Sequence, residues 1–312
     1  MALRIVFCGT PAFAVPSLRA LIAQPDLHIE AVITQPDRPR GRGGEISGPP
    51  VKSVAIESGI QVYQPEKIKS DAAYDFLLRL APDIVVIIAY GQIISQRLLD
   101  LPRLGWVNVH ASLLPKYRGA APINWAIING ESRTGVTTMQ VNAGLDTGPI
   151  LLAAETHIGP DEITPELAAR LAEMGAPLIV ETLRKLDRRE VTPRPQDDSQ
   201  ATLAPLLKKE DGRIDWSMLA QTIYNCIRGL QPWPGAFTTF RGKTCNIWGR
   251  PISNSKGKAT PGTILVEDHE LAVACGNATA LRLEFVQLEG RKRVTAREFA
   301  SGARLTRDDR FE

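Results

Sequence analysis

Two hydrophobic periods alternate along the first half of the chain. Arg4–Gly9 and Ile29–Gln35 are short, nearly continuous apolar runs that read as strands, and Phe13–Ala23 between them carries helical spacing. Strand, turn, helix and strand in this order form a βαβ unit, whose strands are expected to be parallel. Helices are further expected at Val51–Ser58, Ala72–Leu80, Ile94–Leu99, Ala121–Asn129 and Thr164–Leu186, and strands at Gln61–Tyr63, Gly135–Asn142 and Ile150–Ile158. Asp83–Ala89 is β-branched and apolar throughout, as a central parallel strand covered on both faces requires. Trp106-Val107-Asn108-Val109-His110 instead alternates, so Asn108 and His110 share one face while Val107 and Val109 share the other.

Beyond residue 190 the periodicity stops. Val191–Pro205, rich in Pro, Asp, Ser and Thr, reads as a linker. A helix at Ser217–Arg228 follows, then strand-like runs at Ala236–Phe240, Thr244–Trp248, Thr263–Val266, Leu271–Ala274 and Leu281–Leu288, with Gly, Pro and Asn turns between them. Short strands at such spacing suggest a small barrel. The expected fold is α/β: a Rossmann-like, mostly parallel sheet domain over residues 1–190, a linker over 191–205 and an OB-like β-barrel domain over 206–312.

Composition narrows the class. With 312 residues, 44% hydrophobic and 23% charged, the chain is an ordinary globular protein, not a disordered or fibrous one. Its longest apolar run, Ile84–Tyr90, is far short of the roughly 20 residues a membrane helix needs. The N-terminal apolar run is interrupted by Gly9-Thr10-Pro11, so no export segment is expected. That turn fits neither G-x-G-x-x-G nor the Walker pattern. Cys8, Cys226, Cys245 and Cys275 lie far apart, which argues against zinc and against a disulfide framework. A reducing cytoplasm, no bound metal and no membrane contact are the expectations. Residues 206–312 hold 17 basic and 12 acidic side chains against 20 and 22 before them, an asymmetry that permits a polyanionic partner.

Three stretches carry candidate chemistry. Asn108 and His110 pair an amide donor with an imidazole, a combination suited to a carbonyl oxygen that becomes negative during reaction. Asp146 sits in Ala143-Gly144-Leu145-Asp146-Thr147-Gly148-Pro149, a glycine-framed turn, where it either orients the imidazole or simply bonds its own backbone. Ser112 lies outside any G-x-S-x-G setting and is followed by Pro115, so a covalent serine mechanism loses support to direct attack by a substrate atom. The third stretch, Pro36–Lys52, has too many prolines and glycines for regular structure. It interleaves Arg38, Arg40 and Arg42 with Pro39 and Gly41; composition favours a solvated loop, and gripping phosphates is the functional alternative.

Taken with Ser112-Leu113-Leu114-Pro115, Tyr117-Arg118-Gly119, Ala89-Tyr90-Gly91 and Gln35-Pro36-Asp37-Arg38-Pro39, the Asn108-x-His110 pair and distant Asp146 resemble the folate-dependent formyltransferases. The likeness continues through Ile214-Asp215-Trp216, Asn225-Cys226-Ile227-Arg228 and Pro232-Trp233-Pro234, and is specific to the branch that acts on aminoacylated initiator tRNA. The resemblance implies a catalytic trio of Asn108, His110 and Asp146, and folate held by Ser112, Leu113, Leu114 and Pro115. It also implies that Arg38, Arg40 and Arg42 meet the acceptor end of tRNA, Arg42 foremost. The formyl group of N10-formyltetrahydrofolate would pass to the free α-amine of methionyl-initiator tRNA, giving N-formylmethionyl-tRNA for translation initiation. Rival readings are a formyltransferase for a small amine, such as an amino-sugar nucleotide, and a non-catalytic RNA-binding relative. Phosphate contacts from Lys208, Lys209, Arg241, Lys243, Lys256, Lys258 and Arg291-Lys292-Arg293 are expected of the second domain, and a monomer is expected of the whole. Two departures stand out: Gly44-Glu45 where relatives often carry lysines, and Ala111 where they often carry glycine.

Overall fold

The computed structural model describes residues 2–40, 45–252, 259–267, 270–306 and 309–312; Arg42, Lys256 and Lys258 lie outside the described residues. The chain forms two compact units, one of Met1–Pro122, Arg133–His157 and Ala168–Ala204, the other of Ile123–Ser132, Ile158–Leu167 and Pro205–Glu312. The segment expected as a linker belongs to the first unit up to Ala204, where Arg194 bridges Ile150 and Leu203 bridges Arg118.

The chain begins with β1 (Leu3–Gly9), α1 (Val15–Ile22), β2 (Leu27–Ile33), β3 (Arg38–Arg40), β4 (Glu45–Ser47), α2 (Pro50–Glu57), β5 (Val62–Tyr63) and α3 (Asp71–Leu80). It continues with β6 (Ile84–Ile88), α4 (Gln96–Leu99), β7 (Trp106–His110), α5 (Pro122–Ile128), β8 (Arg133–Gln140), β9 (Ile150–His157) and α6 (Thr164–Asp187). Seven strands form one sheet in the order β5-β2-β1-β6-β7-β8-β9. Pairing is parallel from β5 to β7, and β8 and β9 add an antiparallel edge, so the sheet is mostly parallel and Rossmann-like. β6 is central because both its faces are covered: Ile84, Val85, Val86 and Ile88 have no exposed surface.

The strand order reverses at β1, with β2 and β5 to one side and β6 and β7 to the other. Open α/β sheets bind ligands at the carboxyl ends beside such a reversal. Gly9 ends β1 there for packing: a Cβ would lie 2.8 Å from the Phe7 ring and 3.1 Å from the Ile88 carbonyl. The arginine-bearing segment is more regular than its composition suggests. β3 and β4 pair antiparallel as Arg38↔Ser47, Pro39↔Ile46 and Arg40↔Glu45. A two-stranded ribbon is all edge, so the missing Pro39 N–H costs it little.

The second unit continues with α7 (Ala220–Gly229), β10 (Phe237–Phe240), β11 (Lys243–Ile252), β12 (Ile264–Glu267), β13 (Glu270–Ala274), β14 (Ala280–Leu288), β15 (Val294–Thr295) and α8 (Ala296–Ala303). Its antiparallel sheet runs β10-β11-β14-β13-β12, with β15 on β14. β11 extends past the predicted end at Trp248 because β14 pairs with it as far as Ile252; β10 pairs only as far as Asn246, so Pro251 sits on an edge, opposite Leu281. α8 went unpredicted although Thr295 and Glu298 form a capping box that marks its start.

The C-terminal residues join both edges of this sheet, Phe311 bridging Phe240 and Arg310 bridging Thr263. Phe311 packs with Phe240, Phe299 and Trp216 in the unit's core. Arg241 holds the approach to this segment, with Nε 2.7 Å and Nη2 2.5 Å from the two Asp309 oxygens. The Arg241 guanidinium brings the Asp309 carboxyl down to about 2. Its unfolded counterpart titrates near 3.9, so the pairing stabilises fully above about pH 4 and is lost as the pH falls toward 2. Asp309→Asn is therefore expected to be less stable than wild type at neutral pH, in denaturant titrations, with the difference shrinking between about pH 4 and pH 2.

Candidate active site

β7 places the first two groups. Paired to β6 through Ile87↔Asn108 and to β8 through His110↔Thr137, it is fixed on both sides. Gly175 of α6 covers the opposite face, where a Cβ would stand 3.1 Å from Val109. The alternation read from sequence thus sends Val109 into the helix layer and leaves Asn108 and His110 on the other side. His110 is 6% exposed.

Asp146 arrives from the turn between β8 and β9. It has a left-handed backbone (φ 50°), and its carboxylate faces three groups at once. Oδ2 accepts the Gly119 N–H at 2.9 Å and stands 3.7 Å from His110 Nδ1, while Oδ1 is 3.5 Å from Asn108 Nδ2. The self-bonded turn is excluded as the role of this side chain. Asn142 does that work instead, accepting from Gly144 N–H at 3.1 Å and Thr147 Oγ1 at 2.9 Å.

The imidazole is oriented by the backbone rather than by the carboxylate. Nε2 lies 2.8 Å from the Tyr117 carbonyl, and a carbonyl only accepts, so Nε2 carries a proton. Nδ1 consequently faces Asp146 across a gap longer than a hydrogen bond. Tyr117 supports this from a left-handed backbone (φ 62°), its own N–H donating to Thr202 Oγ1 at 2.9 Å. Gly119 (φ 124°) admits no side chain, because a Cβ would sit 2.6 Å from the Ala204 carbonyl.

Ser112–Pro115 leaves the end of β7 directly. Ser112 is fully buried and its hydroxyl donates to the Lys116 carbonyl at 2.6 Å, so it braces the turn. Thr137 Oγ1 donates to the Ser112 carbonyl at 2.7 Å and accepts from Leu114 N–H at 3.2 Å, tying the segment to β8. Leu114 is buried, and Leu113 and Pro115 are half-buried. Arg38 is exposed on β3; with Thr10, Gln35, Pro39, Gly91 and Gln92 it lines a cavity of about 610 Å³ at the reversal point of the sheet.

Two contributors were given no role from the sequence: Gln196 lies in the supposed linker, and Arg118 was quoted only as part of Tyr117-Arg118-Gly119. Gln196 donates to the carbonyls of Asp146 at 2.8 Å and Gly148 at 2.7 Å, fixing the turn that carries the carboxylate. Arg118, 6% exposed, donates to Gln196 Oε1 at 3.0 Å and to Asp198 Oδ1 at 2.7 Å. Neither shows periodicity, and their meaning appears only when the chain returns.

An amide, an imidazole and a carboxylate thus converge at the carboxyl end of β7. Residues 3–183 match the formyl transferase family and residues 206–304 the formyl transferase C-terminal domain family, so the chain belongs to the formyl transferases. It is 55% identical over 310 residues to the methionyl-tRNA formyltransferase of Solibacter usitatus, covering 99% of this chain and 98% of that one. The methionyl-tRNA formyltransferase of Acidobacterium capsulatum is 50% identical over 310 residues, with 99% of each chain covered. Among solved structures, the sugar 3N-formyl transferase WlaRD superposes with a TM-score of 0.67 at 16% identity, over 94% of this chain and all of that one. HypX from Aquifex aeolicus in complex with tetrahydrofolic acid gives 0.60 at 16%, over 96% of this chain and 47% of that one. These two share the fold.

Gln196→Ala removes two donors to carbonyls and is expected to destabilise the protein by about 1–3 kcal/mol in denaturation experiments. Its formyl transfer rate is expected to fall as well, since the Asp146 turn loosens.

Proposed function

We propose that this chain transfers the formyl group of N10-formyltetrahydrofolate to the free α-amine of methionyl-initiator tRNA, through Asn108, His110 and Asp146. The observation that carries the reading is the convergence of these three side chains in a protein that is half identical, over its whole length, to methionyl-tRNA formyltransferases. The sugar-acting structural neighbour, at 16% identity, gives no comparable support to a small-amine substrate.

The amine nitrogen attacks the formyl carbon, and the carbonyl oxygen becomes an oxyanion. Asn108 Nδ2 carries a second N–H beyond the one turned to Asp146 and donates it to that oxyanion; His110 Nδ1 stands beside it and, with Nε2 already holding a proton, donates there as the imidazolium, whose charge the Asp146 carboxylate offsets. The 3.7 Å between Nδ1 and Asp146 is longer than a hydrogen bond, as catalytic contacts often are before substrate binds. The new carbon–nitrogen bond leaves the amine with an extra proton. Asp146 accepts it, directly or through water, and passes it toward the folate nitrogen as the old bond breaks. Ser112, Leu113, Leu114 and Pro115 border the donor through backbone and apolar surface, the Ser112 hydroxyl being already used. The reaction requires no metal in this scheme.

Arg38, Arg40 and Arg42 are assigned to the acceptor end of the tRNA. In the second unit, joining of the sheet's two edges by residues 310–311 supports the OB-like barrel reading, and the basic run Arg291-Lys292-Arg293 supports RNA contact. Arg293 is the sharpest candidate. Its guanidinium stands 4.2 Å from the Trp248 ring centre and 4.0 Å from that of Phe285, with no carboxylate partner among the described residues. Arg241, by contrast, is already committed to Asp309. A monomer suffices, the RNA supplying the second large surface.

Asn108→Ala and His110→Ala are each expected to lower the rate of formyl transfer to charged initiator tRNA about 10²–10³-fold while melting near wild type. Full activity in either folded variant overturns the mechanism. Arg293→Ala is expected to lower the slope of log affinity for tRNA against log salt by about one, with the rate at saturating tRNA retained.

A further inference from the structure

The arginine hairpin leaves the sheet domain at Asp37 and rejoins it at Lys52 on α2, and these two residues meet. Lys52 Nζ lies 2.5 Å from Asp37 Oδ2. The other oxygen, Oδ1, accepts from Gln64 Nε2 at 2.8 Å, and the same amide nitrogen donates to the Gln35 carbonyl at 2.9 Å. Both carboxylate oxygens are thus occupied, one from the strand of chain that follows the hairpin and one from the residue after β5. Together these hydrogen bonds, Lys52's first, hold the Asp37 carboxyl below the usual carboxylate range.

The network runs further into the domain. Gln35 Nε2 donates to the Tyr90 carbonyl at 3.1 Å, and Gln92 Oε1 accepts from Ile68 N–H at 2.8 Å while its Nε2 lies 3.4 Å from Gln35 Oε1. Gly48, at the hairpin's exit, is packed onto the ion pair: a Cβ there would stand 3.2 Å from Lys52 Cδ and 3.4 Å from Asp37 Oδ1. The side chains of Lys52 and Asp37 are 24% and 33% exposed, so the pair adds little to overall stability. What it does fix is where the hairpin starts and stops. A segment whose ends are held in advance loses less conformational freedom when a ligand orders it.

We propose that Asp37, Lys52 and Gln64 form a clamp of positioning residues that holds the base of the arginine hairpin, keeping Arg38 on the rim of the cavity at the sheet's reversal point for the acceptor end of the RNA. The inference rests on the reading that this hairpin meets tRNA. The clamp acts on the RNA substrate and leaves the folate donor alone, because none of its three residues belongs to Ser112–Pro115, the segment assigned to the folate, or to the Asn108, His110 and Asp146 cluster.

Steady-state kinetics of the full chain with charged initiator tRNA and 10-formyltetrahydrofolate test it, using Asp37→Asn, Lys52→Met, the double variant and Lys52→Arg. Each of the first two is expected to raise KM for the tRNA about five- to tenfold, with kcat and the folate KM within about twofold of wild type. The double variant is expected to match either single one, since a clamp broken once is broken, and Lys52→Arg to remain near wild type. Gln64→Leu is expected to show the same selective rise and replaces Asp37→Asn should that variant fold poorly. Unchanged tRNA KM, additive effects in the double variant, or an equal rise in folate KM overturns the clamp. If the wild-type protein formylates charged tRNA while the variants behave like it, the clamp alone fails; if the wild type does not, the functional reading beneath it fails.

Discussion

A single carboxylate ties together the polar cluster at the end of β7. Asp146 reaches 27 residues back to the Gly119 N–H, and that bond fixes its oxygens between an amide and an imidazole that belong to another strand. The contact demands two uncommon backbones, a positive φ at Asp146 and another at Gly119, the second possible only without a Cβ. A half-buried carboxylate needs donors around it, and this one has a backbone N–H in addition to the two side chains beside it. Local conformation, packing and site chemistry therefore meet in one interaction.

The sheet supplies the rest of the rigidity. β7 is held by a parallel neighbour on one side and an antiparallel one on the other, with α6 against its apolar face. Its polar face can then be spent on Asn108 and His110 without loss of core. Rigid elements keep reacting groups in place more closely than loops do. The segment 191–204 contributes in the same sense, because Gln196 holds the Asp146 turn from behind through two carbonyls.

Much of this was legible in the sequence. Alternation in Trp106–His110 identified which side chains share a face, and the unbroken apolar run at residues 84–88 marked the central strand. The glycine-framed turn marked Asp146 as fixed, though not what fixed it, since Gly119 lies far off in the chain. Gln196 and Asp198 were illegible because a polar, proline-rich segment looks the same whether it dangles as a linker or packs back on a domain. The β3–β4 ribbon was hidden by its prolines for a related reason: edge strands tolerate them, and composition does not reveal an edge. Asp309 and Phe311 likewise acquire meaning only where the chain's end joins the two sides of the second sheet.

If the Asp146 carboxylate is the centre of the transfer site, its charge matters more than its shape. Single-turnover formyl transfer by Asp146→Asn, with tRNA and folate affinities measured alongside, tests this directly. The account predicts a folded protein that binds both substrates near wild-type strength and transfers formyl at least about 10²-fold more slowly. Transfer at the wild-type rate by this variant would contradict it.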